Sequence, residues 1–195
     1  EVVKKAKPLG TKIISIVNVP TSSLARLSDI SISMNCGPEI GVAATKSFTS
    51  QLTILYAIID RLSGGVIGFE DQRSKLQNAV KELVEGQKLI EQIADEIKNA
   101  KDIYVLGRSI HYPIALEGAL KIKELSYVHA EGIPAGELKH GPLALIDKNS
   151  CVLVLNPNDS TFDDVKANAH EIKARGSSLI GIGSSPSDVY DRFIA

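Results

Sequence analysis

Apolar positions along the chain fall into two patterns. Short runs rich in β-branched residues occupy 12–18, 30–34, 102–106, 151–156 and 178–183, each bounded by turn formers. Most are continuously apolar rather than alternating, which predicts strands covered on both faces, as in a parallel sheet between helices. Between them, apolar residues recur at helical spacing and predict helices over 42–62, 72–100, 111–128 and 162–175. In the long second helix, Leu76, Val80, Leu83, Leu89, Ile93 and Ile97 share one side, with Gly86 as a point of breakage. In the third, Pro113 stands near the first turn, where proline is tolerated. Strands alternating with helices mean an α/β fold.

The most glycine-dense stretch, Ser63-Gly64-Gly65-Val66-Ile67-Gly68, marks a domain boundary. Ahead of it stand two predicted strands and one long helix, too little for a self-sufficient α/β domain. Behind it come a long helix and then strand–helix units. The reading is residues 1–63 as the back of one domain and 64–195 as most of a second. Glu1 to Lys5 read as the tail of a helix, and no secretory signal is visible.

Composition narrows the functional classes. The 195 residues are 44% hydrophobic and carry a net charge of −1, with no basic block. Nucleic acid and anionic membranes are therefore not expected partners. Apolar stretches such as 52–59 are too short to span a bilayer. Cys36 and Cys151 are expected to be buried, reduced thiols, and the four histidines lack metal-ligand spacing. A cytoplasmic protein without a metal site is the expectation.

The chemistry concentrates between Tyr112 and Asp147. Glu117, Lys121 and Glu124 are spaced four and three apart and so share a helical face, among apolar neighbours Leu116, Ala119, Leu120 and Ile122. Carboxylate, ammonium and carboxylate in a row suit proton transfer: a base, a cation to offset developing negative charge, and a group to hold that cation. The same spacing also describes an exposed salt-bridge ladder, and both readings stay open. Downstream, 132–142 is a loop punctuated by glycine and proline that contains Lys139-His140. Histidine gives or takes a proton near neutral pH, which makes His140 a candidate catalyst. A second candidate is 37–46, a glycine-rich turn between a strand and a helix, whose backbone N–H groups would face a ligand or simply begin the helix. Gly107-Arg108-Ser109 is a weaker instance, and Thr21-Ser22-Ser23 reads as a turn.

These residues carry a resemblance. ALEGALKIKELSYVHAEGIPAGELKHGPLALID, residues 115–147, closely resembles the second SIS (sugar isomerase) domain of the glucosamine-6-phosphate synthases, also called glutamine–fructose-6-phosphate aminotransferases. GPEIGVAATKSFTSQL, residues 37–52, resembles the matching stretch of their first SIS domain. The resemblance implies flavodoxin-like SIS domains, with 1–63 the C-terminal part of the first and 64–195 most of the second. It implies that Glu124 moves the proton between C1 and C2 of the sugar, that Lys121 lies near the enediolate, and that Glu117 lies near the catalytic lysine of a C-terminal tail. His140 would open the sugar ring and reach the site from a neighbouring subunit, which makes a homodimer the expected assembly. Val42 and Ala44 would line the sugar, with Thr45 beside them a third substrate-binding candidate. Ala44 departs from the family pattern, which has serine there, so a hydroxyl contact is lost. The family's phosphate-gripping Ser-Gln-Ser-Gly-Glu-Thr loop, its Schiff-base lysine and its glutaminase domain are not in this sequence, so the chain alone is expected to be inactive. No cofactor is expected, since a carboxylate and a histidine suffice for enediol chemistry. The alternatives are a SIS-type glucosamine-6-phosphate deaminase and a non-catalytic sugar-phosphate-binding SIS domain. Glu124, Lys121 and His140 together argue against the latter.

Overall fold

The apolar runs at 102–106, 151–156 and 178–183 pair as strands of one parallel sheet in the computed structural model, which describes residues 1–195. That sheet belongs to the second of two units, Glu1–Lys81 and Glu82–Ala195.

The first unit starts with a short helix α1 (Val2–Ala6), then pairs β1 (Ile14–Val17) in parallel with β2 (Ile30–Ser33). Between these strands lies the short helix α2 (Ser23–Leu27), whose start is capped by the Ser22 hydroxyl accepting from the Ala25 N–H at 3.2 Å. Helix α3 (Lys46–Leu62) begins four residues later than the pattern predicts, because residues 42–45 are held in a loop described below. The glycine-dense stretch is an ordered turn rather than a slack connection. Gly64, Gly65 and Gly68 all take positive φ, and the Asp60 carboxylate accepts from the N–H groups of Ile67, Gly68 and Phe69 at 2.8, 2.9 and 3.2 Å. Three successive amides leading into α4 (Phe69–Glu85) thereby share one side-chain acceptor.

The predicted helix 72–100 is two helices, α4 and α5 (Gln87–Ile97), broken at Gly86. A Cβ on Gly86 would sit 3.2 Å from the Glu82 carbonyl oxygen, tighter than ordinary contact.

In the second unit the sheet runs β4 (His129–Pro134), β3 (Asp102–Gly107), β5 (Ser150–Asn156), β6 (Ser178–Gly183), β7 (Arg192–Ile194), every neighbour parallel. Counted within the unit this is order 2-1-3-4-5, the flavodoxin-like arrangement. Both faces are covered. Tyr104, Leu106, Val152 and Val154 pack with Val165, Ala169 and Ile172 of α7 (Phe162–Lys173) on one side. Ile103, Val105 and Cys151 pack with Ile93 of α5 and with Ala115 and Ala119 of α6 (His111–Ser126) on the other. Cys151 is buried as expected, and burial pushes its thiol up to about 11. Cys36, past the end of β2, is only half-buried.

Two strands escape the sequence reading, β4 and β7, and both lie at sheet edges. An edge strand need not be apolar on both faces. HAEGIP therefore shows no apolar run, and its Pro134 stands at the strand's last residue, where a missing N–H is tolerated.

Helix α6 meets β4 at very close range. A Cβ on Gly132 would lie 2.8 Å from both the Cα and N of Leu116, whereas a Cβ on Gly118 would meet only Val105 Cγ1, at 3.9 Å. Gly132→Ala should therefore cost about 1–3 kcal/mol through overpacking, while Gly118→Ala should gain about 0.5–1 kcal/mol from helix propensity. Urea unfolding of the two variants checks this pair of opposite signs.

Candidate functional site

Helix α6 brings Glu117, Lys121 and Glu124 together. Lys121 Nζ donates to Glu124 Oε2 at 2.6 Å and lies 3.4 Å from Glu117 Oε1. The three side chains are 20–31% exposed, well short of a solvated ladder. Ala115 and Ala119 on the same helix are fully buried against the sheet, and at 3.6 residues per turn the charged stripe lies on the other side of α6, its three side chains packed along one another. The Glu124 carboxylate, and after it Glu117, hold the Lys121 ammonium above the usual lysine range against the opposing effect of burial. The group is a cation clamped between two anions. It can stabilise negative charge that develops nearby while a carboxylate exchanges a proton.

His140 ends the 3-10 turn Ala135–His140 and is exposed, with no hydrogen bond or ion pair joining it to the α6 trio. Its neighbours are fixed. Leu138 is fully buried, Lys139 pairs with Glu171 at 2.8 Å, and Gly141 takes a φ of 143° that disfavours any side chain.

Val42, Ala44 and Thr45 lie in the first unit, in the loop between β2 and α3. Val42 is 92% exposed, Ala44 and Thr45 are also exposed, and Ala43 between them is buried. The loop folds onto Glu39, whose carboxylate accepts from the Thr45 N–H and hydroxyl, both at 3.1 Å, and from the Ser47 N–H at 3.2 Å. The bonding to Ser47 and Thr45 pulls Glu39 down to about 2. The expectation of free backbone N–H groups at this helix start is thus corrected: Glu39 occupies them, as a carboxylate at a helix N-terminus does. No short sequence template places a cap six residues ahead of Thr45, so sequence reasoning missed it.

Also missed is a pair at the carboxyl ends of β3 and β5, the point where strand order reverses. His111 Nε2 lies 2.7 Å from Asp159 Oδ2, and His111 together with Thr161 brings Asp159 down to about 2. The two residues are 48 apart in sequence, and only the topology joins them.

The parallel order and the two covered faces define a flavodoxin-like α/β domain, and comparison narrows the class. The SIS domain family matches residues 1–61 and 96–193, and the chain belongs to that family. Among particular relatives, the glutamine–fructose-6-phosphate aminotransferase (isomerizing) of Aquifex aeolicus is 44% identical over 180 residues, covering 92% of this chain and 30% of that protein. The chain thus spans under a third of that relative's length. The C-terminal domain of glucosamine-fructose-6-phosphate aminotransferase from Francisella tularensis superposes with a TM-score of 0.86 at 38% identity, covering 98% of this chain and 58% of that one. Glucosamine-6-phosphate deaminase from Thermotoga maritima gives 0.76 at 28% identity, covering 88% and 52%.

The trio has a measurable signature. The Lys121 amine should titrate above the ordinary lysine value of 10.5, and Glu124→Gln should lower its midpoint, read from the 13Cε shift against pH. A raised folded-state pKa contributes stability in full below the unfolded value, and that contribution is lost as pH rises through the folded one. The stability difference between wild type and Glu124→Gln should therefore be level from neutral pH to about 10 and shrink above it.

Proposed function

We propose that this chain is the sugar-isomerase segment of a glutamine–fructose-6-phosphate aminotransferase, with residues 1–63 from the first SIS domain and 64–195 from the second. The observation that carries the reading is the half-buried Glu117–Lys121–Glu124 cluster on α6, with its 2.6 Å contact. The likeness to relatives of that name at 44% identity supports it. In this reading fructose-6-phosphate is the substrate, and Val42, Ala44 and Thr45 are candidate contacts to it on the strength of the resemblance alone. His140 of a second subunit opens the sugar ring by passing a proton between ring oxygen and solvent. Glu124 takes a proton from C1 and returns it to C2. Lys121 offsets the negative charge that builds on the enediolate between those steps, and Glu117 keeps Lys121 in place. Nitrogen from glutamine arrives through a glutaminase domain elsewhere in the full-length protein. No cofactor enters these steps. A cytoplasmic setting follows from the metabolic chemistry, and no helix is long and apolar enough to cross a membrane.

The likeness to a deaminase favours one second reading, the same proton transfer run toward ammonia release. Full-length protein that needs glutamine to make glucosamine-6-phosphate is a synthase. Protein that releases ammonia from glucosamine-6-phosphate without any requirement for glutamine is a deaminase.

Glu124→Gln in the full-length protein keeps the shape and removes the base. Incorporation of solvent deuterium at C2, followed by NMR, should fall by about 10²-fold or more while sugar-phosphate binding stays near wild type. Exchange at the wild-type rate would remove Glu124 as the base. Mixing His140→Ala subunits with Glu124→Gln subunits should restore part of the isomerase activity after exchange, because some heterodimers regain one site with Glu124 from one chain and His140 from the other. If mass spectrometry confirms exchange and activity stays absent, the shared-site assembly is wrong.

A further inference from the structure

The segment carrying His140 consists of two 3-10 turns, Ala135–His140 and Pro142–Leu145, whose own backbone bonds are short-range. Its fixed points come from α7. Asp164, Asn168 and Glu171 are spaced four and three apart and form one stripe along that helix, and Arg175 continues it just past the last turn. Each touches a successive part of the segment or its support. Asp164 pairs with Arg108 at 2.9 Å, and Arg108 in turn lies beside Gly136, where a Cβ would be 3.5 Å from its Nη1. The Asn168 amide, oriented by its neighbours, donates to the Ala135 carbonyl at 3.3 Å and to the Asp164 carbonyl at 3.0 Å. Glu171 Oε1 holds Lys139 Nζ at 2.8 Å, and Arg175 Nε donates to the Ile146 carbonyl at 3.0 Å.

The middle of the stripe is the informative part. Glu171 Oε2 is buried without a hydrogen-bond partner. A carboxylate with one oxygen buried and unpaired is a poor choice for stability alone. Its one ion pair goes to the residue directly before His140, and the residue directly after, Gly141, has a backbone conformation open chiefly to glycine. The imidazole itself is exposed and makes no bond of its own within the chain.

We infer that Glu171 is a positioning residue for His140, restraining the turn through Lys139 so that the backbone carrying the ring is held in one place and the ring nitrogens stay free. The inference rests on the ring-opening role proposed for His140. A group placed from behind in this way affects only the step its partner performs, so it should matter for a cyclic substrate and not for an open-chain one.

The test uses full-length protein and two substrates: fructose-6-phosphate, and its 5-deoxy analogue, which lacks the hydroxyl needed to close the ring. Glu171→Gln should lower kcat for fructose-6-phosphate by on the order of 10-fold with KM within about twofold, leave the analogue unaffected, and leave the unfolding midpoint unchanged. The charge-reversed double variant Lys139→Glu/Glu171→Lys should recover most of the loss. Equal losses on both substrates, or none on either, would overturn the positioning role. His140→Ala, run in parallel, separates this from failure of the underlying reading. If His140→Ala leaves the ratio between the two substrates unchanged, the ring-opening role itself is wrong and the inference falls with it.

Discussion

Everything in the second unit depends on how closely α6 lies against the sheet. Two glycines permit it. A Cβ on Gly107, at the end of β3, would stand 2.4 Å from the carbonyl oxygen of His111, and one on Gly132, in β4, would stand 2.8 Å from the backbone of Leu116. The helix is therefore seated at its start and again one turn on. With the seat fixed, the helical repeat places Glu117, Lys121 and Glu124 together on the side of α6 away from the sheet, without any need for loops to position them. Rigid elements hold charged groups more accurately than loops do, and the proton transfer proposed for this cluster needs that accuracy.

The setting also decides which of two ordinary readings of the same spacing applies. An exposed Glu–Lys–Glu ladder contributes little and is screened by salt. Here the side chains are 20–31% exposed and Lys121 is bonded on both sides. Removing water from such a group strengthens every charge interaction within it and makes the loss of any one member costly. Spacing alone could not separate the readings, because it fixes which residues share a face and not how far that face is exposed.

What was legible in the sequence follows the same division. Strands β3, β5 and β6 are buried on both faces and were written as unbroken apolar runs, and α6 and α7 repeat at helical spacing. Edge strands β4 and β7 carry no such run, since one side of each lacks a strand neighbour. The start of α3 was misplaced because Glu39, outside the helix, decides where it begins. The α6 trio could be found from spacing and His140 from its loop, but their partners could not. Asp159 reaches His111 across 48 positions, and Glu171 reaches Lys139 across a helix and a strand. Contacts of that kind are created by strand order, which no local pattern records.

The two halves of the candidate machinery are built on opposite principles for a physical reason. The α6 cluster is closed: each charged group already has a partner, so in the proposed function it would act by changing the balance of existing bonds when a substrate charge approaches. His140 is open: it has no partner within the chain and is supported only through its neighbours. A proton carrier that must both give and take needs an unoccupied nitrogen on each half of its cycle. An intrachain hydrogen bond to the ring would fix its orientation but engage one of those nitrogens. Anchoring Lys139 and burying Leu138 restrains the backbone that carries the ring instead, and leaves the ring available to whatever surface approaches it.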